Sequence, residues 1–333
     1  MRIDLGKAAD LLRQRRRTLI LAHLEPDGDA WGSMCALAEV CRLLNQEARL
    51  LLPGPLPEFL SWLEAPAPVA RDIAGLGDWK PDLAAFLDCG RPDRTGEEGD
   101  ALAYGQIPGW GKVDIINLDH HGDNPGFGLI SLVEPEAGAT AEIIGLLAEY
   151  LGLPLSGYLG EAIYLGLTSD SGNFTYANSS ASLMALAARI VGQGLKVENF
   201  TAKSENNWSP GRMRLWGELM LTPRLFAQDR VVSVLAPMAL LEKHQCRPAA
   251  LENLVSFMLH MRGVEVAMLI REKQDGGSKI SLRSQGGSKG VNVRKAAAAL
   301  GGGGHDNAAG ANVSLGMEEA EQKVLEFLLP DLD

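Results

Sequence analysis

The sequence predicts an α/β protein with an N-terminal α/β domain on a parallel sheet and a smaller C-terminal α/β domain on a mixed sheet. Three observations predict it. The chain has 333 residues, more than one typical domain holds. Short apolar runs alternate with stretches of helical spacing through residues 1–190, the pattern of strands covered on both faces by crossover helices. Near the other end, two apolar runs join through Asp275-Gly-Gly-Ser, which reads as a hairpin. Residues 191–223, richer in Gly, Asn, Ser and Pro, read as a helical linker to a domain over 224–333.

The elements follow in order. Thr18–Ala22 is a buried strand, and Gly32–Leu44, apolar at Met34, Leu37, Ala38, Cys41 and Leu44, is the helix after it. Ala48–Leu52 is the next strand, stopped by Pro53-Gly-Pro-Leu-Pro57. Leu83–Leu87, Val113–Leu118 and Leu129–Val133 read as further strands, and Thr140–Leu151, Gly157–Thr168 and Ser180–Val191 as helices. In the second domain, strands are expected at Arg230–Leu235, near Val264–Arg271 and at Lys279–Arg283. Helices are expected near Pro248–Met261, at Val291–Leu300 and at Met317–Leu328. There is no internal repeat.

Hydrophobic residues make up 46% and charged residues 22%, ordinary for a globular chain with a sizeable core. A net charge of −11 argues against gripping long nucleic acid, which needs a basic surface. It leaves room for a small anion held at one positive spot, because bound divalent cations can dominate a local field. Cys35, Cys41, Cys89 and Cys246 form no CxxC pair and are too scattered for a disulfide framework, so free thiols are expected. The Met1–Lys7 stretch lacks the apolar core of a signal peptide, and the apolar runs are too short to cross a bilayer. A cytoplasmic protein with no membrane partner is expected, and a homodimer is allowed.

Asp119-His120-His121, where an apolar run breaks into a turn, is the most informative triplet. Three other segments match it: His23-Leu-Glu-Pro-Asp27-Gly-Asp29, Leu87-Asp88-Cys89 and Thr168-Ser-Asp170-Ser-Gly172. Each has a bland alternative. Pro-Asp-Gly-Asp is a common surface turn, Asp88 and Asp170 could merely cap turns, and a lone histidine is more often a satisfied core residue. Joint occurrence weighs against four unrelated turns. His23, Asp88 and Asp119 fall at the carboxyl ends of strands of a parallel sheet, where ligands gather. Hard carboxylates with imidazoles are the ligand mix of a two-metal hydrolase. Neighbouring His120 and His121 would alternate on a regular strand, so one should ligate while the other pairs with substrate or orients a neighbour; Asp119 suits fixing a histidine tautomer.

In the second domain, Gly301-Gly-Gly-Gly304-His305 offers backbone N–H groups to an anion, and Arg283 is a candidate phosphate clamp. A flexible loop and an exposed arginine are the plain alternatives. The basic run Arg13, Arg15, Arg16 and Arg17 reads as a solvated helix end.

These residues together resemble the DHH phosphoesterase family, and more closely its subgroup of nanoRNases that also act as pAp phosphatases. His23-xxx-Asp27-x-Asp29 with Gly32-Ser33 is similar to the first motif, Leu87-Asp88-Cys89-Gly90 with Asp93-Arg94 to the second, and Asn117-Leu-Asp119-His120-His121-Gly-Asp-Asn124 to the naming motif. Gly166-Leu-Thr-Ser-Asp170-Ser-Gly-Asn-Phe174 resembles the fourth, and Ser281-Leu-Arg283-Ser284 with Gly301–Gly310 the associated C-terminal domain. Ser171, Gly138-Ala139 and Trp31 depart from the usual pattern without removing a ligand.

The resemblance implies two divalent ions, usually Mn²⁺ with Mg²⁺ or Co²⁺ as alternatives. His23, Asp27 and Asp88 would hold one; Asp29, Asp88, His120 and Asp170 would hold the other, with Asp88 bridging. It places His121 near the scissile phosphate with Asp119 behind it, and Arg283, Ser284, Gly303, Gly304 and His305 on the far part of the substrate, across an active-site cleft between the domains. The implied activity is hydrolysis of short oligoribonucleotides to mononucleotides and of 3′-phosphoadenosine 5′-phosphate to AMP and phosphate. Alternatives are a phosphodiesterase of cyclic dinucleotides or of pApA and pGpG, more weakly a pyrophosphatase, and from another class a nucleotide-binding module without turnover.

Overall fold

A computed structural model describes residues 5–285 and 290–332. Met1–Asp4, where the N-terminal stretch was read for a leader, lie outside them. The chain divides into two units, Met1–Asn207 and Trp208–Asp333.

The first unit runs α1 (Leu5–Gln14), β1 (Arg17–Ala22), α2 (Gly28–Leu43), β2 (Glu47–Leu51), β3 (Val69–Ala70), β4 (Leu83–Leu87), α3 (Glu97–Ala103), β5 (Asp114–Asp119), β6 (Ile130–Val133), α4 (Thr140–Tyr150), α5 (Gly157–Asp170), α6 (Ala181–Gly192) and α7 (Val197–Ser204). Its six strands pair in parallel in the order β3-β2-β1-β4-β5-β6. The strands read as continuous apolar runs because both faces are covered. Ile20, Ala22, Leu83, Ala85, Leu87, Ile116 and Leu118 face the core shared with α1, α2, α4 and α5. Their neighbours Leu19, Leu21, Ala84, Phe86 and Ile115 face a second layer with Leu102 of α3 and Trp79. The basic run after α1 ties that helix to the sheet: Arg15 pairs with Asp114, and the backbone N–H groups of Arg16 and Arg17 donate to Asp82.

Helices α2 and α5 pack closely along their lengths. A Cβ on Gly32 would stand 2.6 Å from the Ala162 carbonyl oxygen and 3.0 Å from the Gly166 nitrogen. Backbone cannot yield as a side-chain tip can. Gly32→Ala is therefore expected to destabilise this unit by about 1–3 kcal/mol, read as a lower denaturant midpoint at unchanged slope.

The second unit contains α8 (Pro210–Met220), β7 (Arg224–Phe226), β8 (Val231–Ala236), α9 (Met238–Lys243), α10 (Leu254–Met258), β9 (Val266–Glu272), β10 (Ser278–Ser284), α11 (Val293–Ala299), β11 (Gly303–His305), β12 (Ala308–Val313) and α12 (Met317–Leu328). Its sheet order is β11-β12-β10-β9-β8-β7, parallel between β8 and β9 and antiparallel elsewhere. One face packs on α11 and α12, the other on α8 and α10. Residues 191–223 hold α7, which belongs to the first unit, and α8, which belongs to the second.

Two expectations change. The helix expected near Pro248–Met261 is a 3-10 turn (Pro248–Leu251) and the short α10, because Asn253 between them takes a left-handed φ of 66°. Helix α2 starts at Gly28 rather than Gly32, since Asp27 caps it. The Gly301–Gly310 segment, for which a flexible loop was the plain alternative, contains an edge hairpin. A Cβ at Gly302 would lie 2.0 Å from the Gly310 carbonyl oxygen, and one at Gly310 would lie 2.7 Å from that of Ile280. The glycines let strand backbones approach closely.

Candidate metal centre

The strand order reverses at β1 and β4: from β1 the chain moves outward to β2 and β3, then returns to pair β4 on the other side. The helix after β1 covers one face of the sheet, while α3, after β4, contributes to the other. Divergent connections open a crevice at the carboxyl ends of these two strands. His23 follows β1, Asp88 follows β4, and Asp119 closes β5.

Asp27 is the N-cap of α2 and accepts hydrogen bonds from the Asp29 and Ala30 nitrogens, both at 3.0 Å. Asp29 therefore sits in the first helical turn and is fully buried. Its Oδ2 accepts from Thr140 N at 2.6 Å, and its Oδ1 from Ala141 N at 2.9 Å and Ser33 Oγ at 3.2 Å. Because Ala139, the N-cap residue of α4, has no side chain to cap with, Asp29 satisfies the first N–H groups of that helix from across the core. Asp88 takes a left-handed φ of 52°, and its carboxylate lies between His23 and His120. Asp170 ends α5.

Three donor groups result among the described residues of this unit, one of them Asp88, Asp119 and His121. His23, Asp27 and Asp88 each offer a ligand atom within 4.8 Å of the others, and so do Asp29, His120 and Asp170. His120 Nε2 lies 3.1 Å from Asp170 Oδ2, 3.5 Å from Asp88 Oδ1 and 3.9 Å from Asp29 Oδ2. His23 Nε2 lies 3.5 Å from Asp88 Oδ2. Asp88 thus presents one oxygen to each imidazole. His120 and His121 both reach the crevice, since β5 ends at Asp119 and strand alternation no longer binds them. His121 Nδ1 is 2.7 Å from Asp119 Oδ1 and 3.7 Å from Asp88 Oδ1.

The donors suit a divalent cation. His23 Nδ1 meets the Leu24 carbonyl at 2.8 Å and His120 Nδ1 meets that of Ala137 at 3.2 Å. With a proton on Nδ1 donated to backbone, each ring turns Nε2 toward the carboxylates, as ligating imidazoles do. Burial pushes Asp27 up to about 6, reinforced by the charge of Asp170. Burial and the charges of Asp88 and Asp170 hold Asp29 well above the usual carboxylate range. Burial would lower the histidines, but bonds and charges from Asp88 raise His23 to about 9, and Asp170 with Asp88 raise His120. Burial acts upward on Asp88 too, yet the imidazoles outweigh it and hold Asp88 well below the usual range. Such a group of like charges calls for positive charge at its centre.

Asn124, Asn117, Ser33, Thr140 and Asn178 support the centre and were given no role from the sequence. Asn124 Nδ2 donates to Asp119 Oδ2 at 2.7 Å and to Asn117 Oδ1 at 2.8 Å. Thr140 Oγ1 donates to Asp88 Oδ1 at 3.1 Å. The Asn117 and Asn124 positions lie inside the naming motif, which was the available signal; Asn178 lies outside every motif and gave none. Of the three departures, Trp31 is buried with Nε1 donating to the Leu63 carbonyl, and Ser171 closes the turn after α5 through Phe174 N. Cys89 is buried, and burial with the charges of Asp119 and Asp88 pushes its thiol far above its usual range, which disfavours the thiolate a nucleophile needs.

Comparison with known proteins decides the family. The profile described as DHH family, N-terminal domain, matches residues 17–167, and that of the DHHA1 domain matches residues 231–329. A bifunctional oligoribonuclease and PAP phosphatase NrnA from Thermus thermophilus is 30% identical, over 94% of this chain and 89% of its own length. The chain belongs to the DHH family of phosphoesterases. A Bacillus subtilis relative of the same name is 25% identical over 89% of each chain. Among solved structures, an exopolyphosphatase-related protein from Bacteroides fragilis, 25% identical, superposes with a TM-score of 0.86 over 100% of this chain and 99% of that one. The parallel-sheet unit and the smaller mixed-sheet unit are the fold expected of this DHH-family chain. No helix among the described residues is long and apolar enough to cross a membrane.

Proposed function

We propose that the chain is a two-metal, Mn²⁺-dependent phosphoesterase that cleaves short oligoribonucleotides to mononucleotides and 3′-phosphoadenosine 5′-phosphate to AMP and phosphate. The observation that carries this reading is the pair of donor sets meeting at Asp88. The names of the Thermus and Bacillus relatives support the substrate class.

In this reading His23, Asp27 and Asp88 hold one ion, and Asp29, Asp88, His120 and Asp170 the other. Bound ions would lower the pKa of a water and neutralise charge developing on the phosphoryl oxygens. Asp119 holds His121 Nδ1, so a proton given to substrate comes from Nε2. Burial lowers His121, but the bond and charge of Asp119 and the charge of Asp88 outweigh it and raise the imidazole, which favours the charged form for that role.

Arg283, Ser284, Gly303, Gly304 and His305 are assigned to the part of the nucleotide away from the scissile bond. Strand register sets His305, Ala308 and Arg283 in one row across β11, β12 and β10. Arg283 Nε and Ser284 Oγ are buried without a hydrogen-bond partner among the described residues, as donors awaiting an anion would be.

Turnover of pAp, pApA, pGpG and an RNA 5-mer should be compared with Mn²⁺-loaded, folded protein. Mononucleotide release from pApA and phosphate release from pAp are expected. Tight nucleotide binding without release on any of the four would replace the enzyme by a binding module, and release from pGpG alone would favour the linear dinucleotide phosphodiesterase.

A further inference from the structure

The segment Ala137–Ala141, which leads from β6 into α4, anchors one donor set. The Ala137 carbonyl meets His120 Nδ1 at 3.2 Å. Thr140 N and Ala141 N hold the two oxygens of Asp29 at 2.6 and 2.9 Å. The third donor, Asp170, is tied to the same segment through Asn178. Asn178 Nδ2 donates both to the Gly138 carbonyl at 2.8 Å and to the backbone carbonyl of Asp170 at 2.9 Å. Gly138 fits tightly there: a Cβ on it would lie 2.4 Å from Leu183 Cδ1 and 2.5 Å from the Asn178 carbonyl oxygen.

The other set makes no hydrogen bond with Asn178, and its link to Asp29 is through the backbone N–H from which Asp27 accepts. His23 is turned by the Leu24 carbonyl, and Asp27 is fixed by the N-terminal turn of α2. Only Asp88, which faces both sets, is reached from the segment, through the Thr140 hydroxyl.

We infer that Asn178 is a positioning residue for the Asp29–His120–Asp170 donor set, so that its loss weakens the cation held there and leaves the one at His23 and Asp27 unchanged. This rests on the two-cation reading above. Asn178 touches neither His23 nor Asp27 in any hydrogen bond of the centre. Removing its amide releases Asp170 from the segment that orients Asp29 and His120. Outer contacts of this kind change metal affinity by about 10–100-fold.

The test is a Mn²⁺ titration of metal-free protein, with free Mn²⁺ followed by electron paramagnetic resonance. Wild type, Asn178→Ala and Asn178→Asp are compared, the last keeping the size of the side chain but not its donor. Wild type should bind two ions. Each variant should lose about 10-fold or more in the affinity of one ion and keep the other at the wild-type value, and excess Mn²⁺ should restore pApA turnover. Should Asn178→Ala fail to fold by circular dichroism, Asn178→Asp carries the comparison. Two ions bound by both variants at wild-type affinity, or both weakened equally, overturn the positioning role and leave the two-cation reading intact. A single ion or none on wild type overturns both.

Discussion

Asp88→Asn is expected to cut turnover of pApA and pAp by about 10³-fold, the scale seen when one charge-stabilising group leaves an active site. Asp88 Oδ2 faces His23 and Asp88 Oδ1 faces His120, each at 3.5 Å, so one carboxylate serves both donor sets. The amide keeps the shape but loses the charge and one acceptor. Asparagine also tolerates the left-handed φ of 52° at this position, so the fold should survive the change. Circular dichroism and a Mn²⁺ titration would separate loss of metal from loss of structure. Turnover within about 10-fold of wild type would remove Asp88 from the bridging role.

Stripping divalent ions is expected to lower the Tm, and the gap between loaded and stripped protein should widen as pH rises. Asp27, raised to about 6 when folded, contributes stability in its protonated form below its unfolded pKa, and loses it as pH climbs through 6. His23, raised to about 9, contributes stability below its unfolded pKa and loses it as pH passes through 9. Stripped protein therefore weakens between about pH 4 and 9, while cations compete best for the deprotonated ligands over the same range. A cation at about 100 times its Kd adds about 2.7 kcal/mol, which for a unit of this size is about 5–10 °C in Tm. Scanning calorimetry at pH 5, 6.5 and 8, with chelator or with Mn²⁺, reads both effects. A gap that is constant or shrinks with pH would contradict the assignment of Asp27 and His23 as ligands.

Much of the fold was legible because local pattern and tertiary role agreed. Leu83–Leu87 and Met317–Leu328 have in the structure the limits read from periodicity. Boundaries moved where a side chain, rather than periodicity, set the end. Asp27 starts α2 early by capping it, and α5 runs on to Asp170. The stretch around Asn253 was misread because nothing local announces that its φ will be positive. The glycine hairpin was not legible for a different reason: a Gly run signals close backbone approach but not that neighbouring strands take part in it.

The sheet, the class of chemistry and the side chains available for it are legible in the chain, since carboxylates and imidazoles at strand ends are a local and periodic signal. How those side chains are anchored belongs to the folded chain. That Asp29 caps a helix more than a hundred residues away, with its Oδ2 bound to Thr140 N, follows from no spacing in the chain. Nor does the tie between Asn178 and Asp170 through a carbonyl of a third segment. Hydrogen bonds are made between whatever groups packing brings within about 3 Å, and packing is a property of the folded chain.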